Sequence, residues 1–466
     1  MEISRVRAAA VAWEVLEEST GAAERLMHAL HRRRACVLLP WTHPTVLPDF
    51  VPPFDWARRS ARRFPLGKRL LFGVLRRAPR FDPERLIPGD RIRSVVVFRY
   101  DAVGDYVVTT PLLRWVRQAL PQARLCVVSS TRNDDLIARD PHVDEHVPIH
   151  PMHGLHPSWI RAVRRLRGGH EVVFALVFTH MSKAAVLARG IAPEAEYIAP
   201  RHWERAALYG LVFHRQLEHC PWRQHWAQTF LQMGCRTIAP CVPVDPSPRL
   251  YVPVAAQICE RVWEELCRYG LGIRPPVVEM VWARGSAPLS WSGREGMPYA
   301  VVNLSAYTRN RQWWLHHAMV VCRELLQRIP EVVFIVTAAP REWDCAEKLV
   351  EAVGHPRCRL FRGNVQELIA LLAGAAWVIS PDTAVVHIAA ALGKPVVGLY
   401  NELIKVAEWY PLGVPSVLVL SPLWGSITFA PPGAVVEAVE RLLQQVIPSK
   451  AVLPPEMLPT GEAMPG

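Results

Sequence analysis

From residue 94 onward, short β-branched runs alternate with segments whose apolar positions recur every three or four residues. The period-2 and continuous apolar runs predict strands at 94–100, 123–129 and 171–178, with shorter ones near 146–149 and 196–199. The helical periodicity predicts helices at 111–120, 158–167, 181–189 and 222–233. A proline-dense stretch, 240–253, reads as a linker and is followed by a helix over 254–269. Residues 276–297 fit neither period and read as an insertion or long loop. A second alternation then begins, with strands at 299–304, 332–337, 376–380, 395–400 and 417–420 and helices at 313–328, 342–353, 365–373, 384–392 and 433–447. Strand–helix alternation of this kind predicts parallel sheets with helices on both faces. The fold class is therefore α/β, with two Rossmann-like units: 91–245 and 254–447. Residues 1–90 read as helices and proline-rich connections forming an N-terminal extension, and 448–466 as a loose tail.

Ligands of open α/β sheets sit at the carboxyl ends of the strands, beside helix N-termini. Two such ends carry distinctive residues. In "FRYDAVGDYVVTTP" a strand runs into Gly104 and Asp105. Gly104 permits a tight backbone bend, and Asp105 is either a helix or turn cap or a general base at the mouth of the sheet. Spacing alone favours the cap. In "VISPDTAVVHIAAALGKPVVGLY" a strand ends before Asp382 and Thr383, either of which suits an N-cap, and His387 lies on the same helix face as Thr383. Free amides, a hydroxyl and an imidazole at one spot suit a diphosphate; a capped helix with a buried histidine is the equal alternative. In "VVNLSAYTRNRQWW", Ser305, Tyr307, Thr308, Arg309 and Arg311 follow a strand, offering hydroxyls and guanidinium groups to phosphate oxygens or forming a plain polar loop.

Composition narrows the field. There is no P-loop, no G-x-G-x-x-G after either first strand, and no standard zinc spacing in "EHCPWRQHW" or around Cys235 and Cys241, so no metal or cofactor is expected. The ten cysteines are scattered, without a C-x-x-C pair, as in a reducing compartment. No run reaches the ~18 apolar residues that span a bilayer, and "AAAVAWEVLEES" meets acids too early for a signal peptide. A cytoplasmic protein is expected.

The net charge of +12 is uneven: residues 1–93 hold 18 Lys+Arg against 10 Asp+Glu. Residues 58–80 contain nine basic residues and no acid, interleaved with Phe64, Leu66, Leu70, Leu71, Phe72, Val74 and Leu75. An anionic membrane face and a solvated arm packed on the next domain explain this equally well; nucleic acid ranks behind both.

The two strand-end motifs, in this order and separation, resemble glycosyltransferase family 9, the ADP-heptose:lipopolysaccharide heptosyltransferases. The resemblance covers about 94–447 and carries the family's Gly-Asp, Thr-Thr-Pro and Asp-Thr…His elements. It implies a GT-B architecture, with two Rossmann-like domains facing across the active-site cleft. The N-terminal domain would hold the acceptor and the C-terminal domain the nucleotide-sugar. It implies an inverting transfer of a sugar, a heptose, from a nucleoside diphosphate such as ADP to a hydroxyl of a lipopolysaccharide-like or other glycan acceptor. Asp105 becomes the catalytic base, with Gly104 at the backbone turn. Thr308, Arg309, Arg311, Asp382, Thr383 and His387 become the diphosphate-binding set, with no metal required. A lipid-bearing acceptor would give the basic arm a purpose at the inner membrane face. The chain departs from the family pattern at Ala384, which replaces a glycine. It departs again at "TAAP" (337–340), in place of a glycine-rich joint, and at Arg311, in place of a lysine. The rival readings are another two-domain nucleotide-sugar enzyme, such as an epimerase, and a non-catalytic membrane-surface binding protein.

Overall fold

The structure is a computed structural model. It describes residues 66–446 apart from 151–155, 179, 203–204, 220–223, 241–247, 275–280, 285–294 and 422–424, together with two strands nearer the N-terminus. These are β1 (Trp13–Val15) and β2 (Cys36–Trp41). Helix α1 (Leu66–Val74) follows. The first sheet contains β3 (Ser94–Phe98), β4 (Arg124–Ser130), β5 (Glu145–Ile149), β6 (Val172–Ala175), β7 (Glu196–Pro200) and β8 (Arg215–Leu217). It is wholly parallel, in the order β5-β4-β3-β6-β7-β8. Its helices are α2 (Val103–Ala119), α3 (Asp134–Arg139), α4 (Pro157–Leu166), α5 (Met181–Ile191), α6 (Ala206–Tyr209) and α7 (Trp226–Cys235).

Helix α8 (Ala256–Arg268) leads into the second sheet. Its strands are β9 (Tyr299–Asn303), β10 (Val333–Thr337), β11 (Cys358–Leu360), β12 (Trp377–Pro381), β13 (Val396–Tyr400) and β14 (Ser416–Leu420). They lie parallel in the order β11-β10-β9-β12-β13-β14. Its helices are α9 (Leu315–Arg328), α10 (Trp343–Val353), α11 (Val365–Gly374), α12 (Ala384–Ala391), α13 (Leu403–Trp409) and α14 (Pro432–Val446). Among the described residues, no helix is long and apolar enough to cross a membrane.

Both six-strand arrays have the doubly wound order, whose topological switch falls between the first and fourth strands. In the first sheet that is β3 beside β6, and in the second β9 beside β12. Ligand crevices open there because the crossover helices leave in opposite directions. All four strands are fully buried, which is why they read as continuous β-branched runs rather than alternating ones. Within β3, Val95 and Val97 join the core that continues into the second half, while Val96 and Phe98 face a separate core under α1, α4, α5 and α6.

Two expectations are corrected. The helical reading of residues 1–90 applies to Leu66–Val74, but Trp13–Val15 and Cys36–Trp41 are strands. Strand β2 runs antiparallel along β14, with Ser416 opposite Trp41, and so extends the C-terminal sheet, while α1 packs on the N-terminal domain against α5 and α6. The basic residues Arg58, Arg59, Arg62 and Arg63 lie outside the described residues.

The helix expected at 111–120 begins instead at Val103 and carries Pro111 inside it. Proline cannot bond the carbonyl four residues earlier. The Thr110 hydroxyl donates to that carbonyl, Val107 O, at 2.7 Å, so the helix runs through. Strands β8 and β11 and helices α3, α6 and α13 were not expected from the pattern; each is short.

Candidate functional site between the two sheets

At the end of β3, Ala102 is the N-cap of α2 and Asp105 its third residue. The Asp105 carboxylate accepts a hydrogen bond from Ala102 N at 2.9 Å, the helix-side half of a capping box. Its other oxygen, Oδ1, lies 3.8 Å from the Arg99 guanidinium. Asp105 therefore does cap its helix, yet its side chain keeps a fifth of its surface exposed.

Arg99 is fully buried. It donates from Nε to Asp105 O at 2.8 Å and from Nη1 to Leu176 O, and stands 3.5 Å from Asp101 Oδ2. The rings of Phe178 and Phe230 lie against it, at 4.9 and 5.0 Å. Burial presses its pKa down, while Asp105 and Asp101 push it back up. Asp101 in turn accepts from Phe178 N at 3.1 Å, tying the end of β3 to the chain beyond β6.

At the second switch point, Thr383 is the N-cap of α12, but its hydroxyl does not bond its own helix. It accepts from Asn303 Nδ2 at 3.1 Å; the same amide nitrogen donates to Ser380 Oγ at 3.0 Å. Asn303 Oδ1 accepts from Ser305 N and Oγ, and Ser305 Oγ accepts from Ala339 N at 2.8 Å. One buried asparagine thus fixes the loop after β9 against the start of α12.

Arg311 reaches across the same gap. Its Nη1 donates to Asp382 O at 3.2 Å and lies 3.3 Å from Asp382 Oδ2. Burial raises the Asp382 pKa. Arg311 and Lys405 lower it, and Asp105 and Glu402 raise it further, so Asp105 acts electrostatically on the second strand end.

His387 is buried and its Nδ1 has no hydrogen-bond partner. Burial first, then Arg311, lowers its pKa to about 3, so the imidazole is neutral at physiological pH. An orphaned buried nitrogen of this kind is one that a ligand or water satisfies. His387 therefore offers a neutral ring able to donate or accept one bond.

The two strand ends are in contact. A Cβ placed on Gly104 would sit 3.1 Å from Ala384 Cα and 3.2 Å from His387 Cδ2. Helices α2 and α12 pack together there. Around them an aromatic wall joins the two halves. Phe178 and Trp226 meet Trp409 at 5.3 and 6.3 Å, and His219 stacks on Trp226 at 3.7 Å while its Nε2 lies 3.2 Å from Glu408 Oε1.

Of the residues singled out in the sequence, Gly104, Asp105, Arg311, Asp382, Thr383 and His387 converge on this junction. Thr308 and Arg309 are exposed on the loop, and the Thr308 hydroxyl donates to Asn310. Arg99 and Asn303 are participants that pattern reading missed. Their only sequence signal is a polar residue closing an otherwise β-branched run. Among the described residues, no cluster of three or more His, Cys, Asp or Glu side chains could hold a metal.

The profile of "Glycosyltransferase family 9 (heptosyltransferase)" matches residues 276–430. Over 324 residues the chain is 23% identical to lipopolysaccharide heptosyltransferase 2 of Salmonella typhimurium, an alignment covering 66% of this chain and 82% of that protein. Among solved structures it is similar to a family 9 glycosyl transferase from Veillonella parvula, with a TM-score of 0.60, 15% identity and coverage of 76% of this chain and 97% of that one. It is also similar to the E. coli heptosyltransferase WaaC with ADP, with a TM-score of 0.54, 16% identity and coverage of 75% and 99%. With two facing Rossmann-ordered sheets of the GT-B kind, a family match over the second and a heptosyltransferase relative whose alignment extends well beyond it, the chain resembles the heptosyltransferases of glycosyltransferase family 9.

Proposed function

We propose that the chain moves a sugar, a heptose, from a nucleoside-diphosphate-sugar, ADP-heptose, to a hydroxyl of a lipopolysaccharide-like glycan acceptor, with inversion at the anomeric carbon. The observation that carries the reading is the Gly104–Ala384 contact. It sets the strand end bearing Asp105 against the helix start bearing Thr383 and His387. In this reading the acceptor lies over β3 and the donor over β9 and β12.

Asp105 takes the proton of the acceptor hydroxyl as that oxygen attacks the anomeric carbon from the face opposite the diphosphate. Arg99, locked between Asp101 and Asp105, holds the carboxylate in place. The bond to the diphosphate breaks and charge grows on the leaving oxygens. Arg311, oriented by Asp382, supplies a cation, and the N-terminus of α12 supplies oriented amides. Thr383 and the neutral His387 add hydrogen bonds, and Thr308 and Arg309 reach the phosphates by movement of their exposed loop. The chemistry asked of these groups is charge stabilisation without a metal. The acceptor of such a reaction is amphiphilic, and the reading puts the enzyme in the cytoplasm at the inner membrane face.

Thermal shift with ADP, UDP, GDP and their sugars tests the donor half, and release of the nucleoside diphosphate in the presence of acceptor tests transfer. Stabilisation by ADP and ADP-heptose beyond the other nucleotides is expected. Absence of stabilisation by every nucleoside diphosphate would overturn the reading.

A further inference from the structure

Helices α1, α4, α5 and α6 cover the face of the first sheet that is turned away from α2, and so from the contact with the second half; Phe72, Trp159, Ala184 and Tyr209 pack in their shared core. None of these four helices contains an aspartate or glutamate. On α1, Phe72 turns inward and stacks on Tyr209 at 5.2 Å. Leu66, Leu70 and Val74 turn outward and are 69%, 61% and 84% exposed. Their spacing of four residues makes one continuous stripe along the helix. On α4, Ile160 is 56% exposed and lines a shallow groove with Pro157, Arg161, Arg164 and Arg165. Lys68, Arg69, Arg76, Arg161 and Arg164 are exposed on the same layer.

We infer that this outer layer, α1 with α4, is a docking surface for an anionic phospholipid bilayer. An exposed leucine stripe has no stabilising partner in water, whereas in the headgroup region its side chains leave water while the flanking cations meet lipid phosphates. The charge is complementary because none of the four helices carries a carboxylate, and Glu145, which borders the groove from β5, is already paired with Arg165 and Arg124. A nucleic acid would use the same cations but would leave Leu66, Leu70 and Val74 unburied. Because α1 packs on the side of the sheet opposite α2, docking leaves the junction of the two sheets free. The inference does not rest on the sugar-transfer reading; a lipid-borne acceptor would simply be presented at the same surface.

The test is flotation of the full chain with vesicles of equimolar phosphatidylglycerol and phosphatidylcholine, at low and high salt, against pure phosphatidylcholine vesicles. Flotation with the anionic vesicles only, lost at high salt as a Debye length of about 8 Å or less screens the cations, is expected. Changing Lys68, Arg69, Arg76, Arg161 and Arg164 to Gln together should abolish it, each removing roughly a fivefold factor in partitioning. Leu66→Gln, Leu70→Gln and Val74→Gln combined should lower partitioning about tenfold or more while leaving the charge unchanged. Circular dichroism and thermal melting confirm that both variants remain folded, and ADP-induced thermal shifts unchanged from wild type separate this surface from the donor site. Failure of the wild type to float at low salt, equal flotation of the leucine variant, or tighter binding to duplex RNA than to anionic vesicles would overturn the assignment.

Discussion

Gly104 and Ala384 touch across the junction of the two sheets: a Cβ on Gly104 would stand 3.1 Å from Ala384 Cα and 3.5 Å from its Cβ. Neither glycine conformation nor turn geometry demands Gly104, since it lies inside a helix with no unusual backbone angle. What demands it is the neighbouring backbone. Gly104→Ala should therefore destabilise the protein by roughly 1–3 kcal/mol, as overpacking does. Ala384→Gly in the same chain should restore less than half of that, because the nearer atom is the Ala384 Cα, which glycine retains. Urea denaturation of the two single variants and the double variant measures the cycle; full restoration would place the conflict at the Ala384 methyl instead.

Asp105→Asn keeps an oxygen that can accept the Ala102 amide, so α2 should start at the same place. What it loses is the ability to take a proton. Turnover should fall by on the order of 10²–10⁴, with the thermal midpoint and ADP affinity near wild type. Initial-rate measurement of nucleoside diphosphate release, paired with calorimetry for ADP, separates the two effects. Near wild-type turnover would leave Asp105 as the helix cap alone.

Much of this architecture is legible in the chain. Runs such as Val95–Phe98 and Val301–Asn303 announce buried parallel strands because both sheet faces are covered, and the two alternations announce two sheets. The start of α2 is hidden because Pro111 breaks the helical pattern, and the Thr110 hydroxyl that mends it acts through a bond no periodicity records. Cys36–Trp41 is concealed among prolines, and its partner, β14, lies almost four hundred residues further on. Thr308, Arg309 and Arg311 look alike as a polar loop; only folding decides that Arg311 turns to Asp382 while the other two face solvent. The charge state of His387 is equally invisible, since burial sets it.

That charge state has a consequence for stability. The folded His387 titrates at about 3 rather than 6.5, and the buried His225 is also lowered, first by burial and then by His387. Between these limits the unfolded chain binds protons that the folded chain refuses. For His387 this contribution to stability is complete above about pH 6.5 and is lost as pH falls toward 3, at roughly 1.4 kcal/mol per pH unit, and the lowered His225 acts in the same direction. His387→Gln cannot titrate and should reduce the slope of unfolding free energy against pH by about one proton over the range of about pH 6 to 4. Urea unfolding at a series of pH values reads that slope directly. An unchanged slope would mean that His387 takes up its proton in the folded state.

The Arg311–Asp382 pair separates phosphate recognition from nucleoside recognition. Arg311 lies 3.3 Å from Asp382 Oδ2, and the carboxyl is otherwise pushed toward protonation by burial and by Asp105 and Glu402. In Arg311→Ala two things change together. The cation proposed to face the diphosphate disappears, and Asp382 loses the strongest influence keeping it ionised. A lost charge-assisted hydrogen bond costs about 1.5–3 kcal/mol, so the affinity for ADP should fall by roughly 10- to 150-fold. Adenosine carries no phosphate, and its affinity should move by less than about threefold. Arg311→Lys keeps the charge but not the planar fork, and should lie between wild type and alanine for ADP. Isothermal titration with both ligands across the three proteins checks the order. Equal losses for ADP and adenosine would put Arg311 in the framework that supports the loop after β9, and would move the phosphate-binding role to Arg309, Lys405 or the amides at the start of α12.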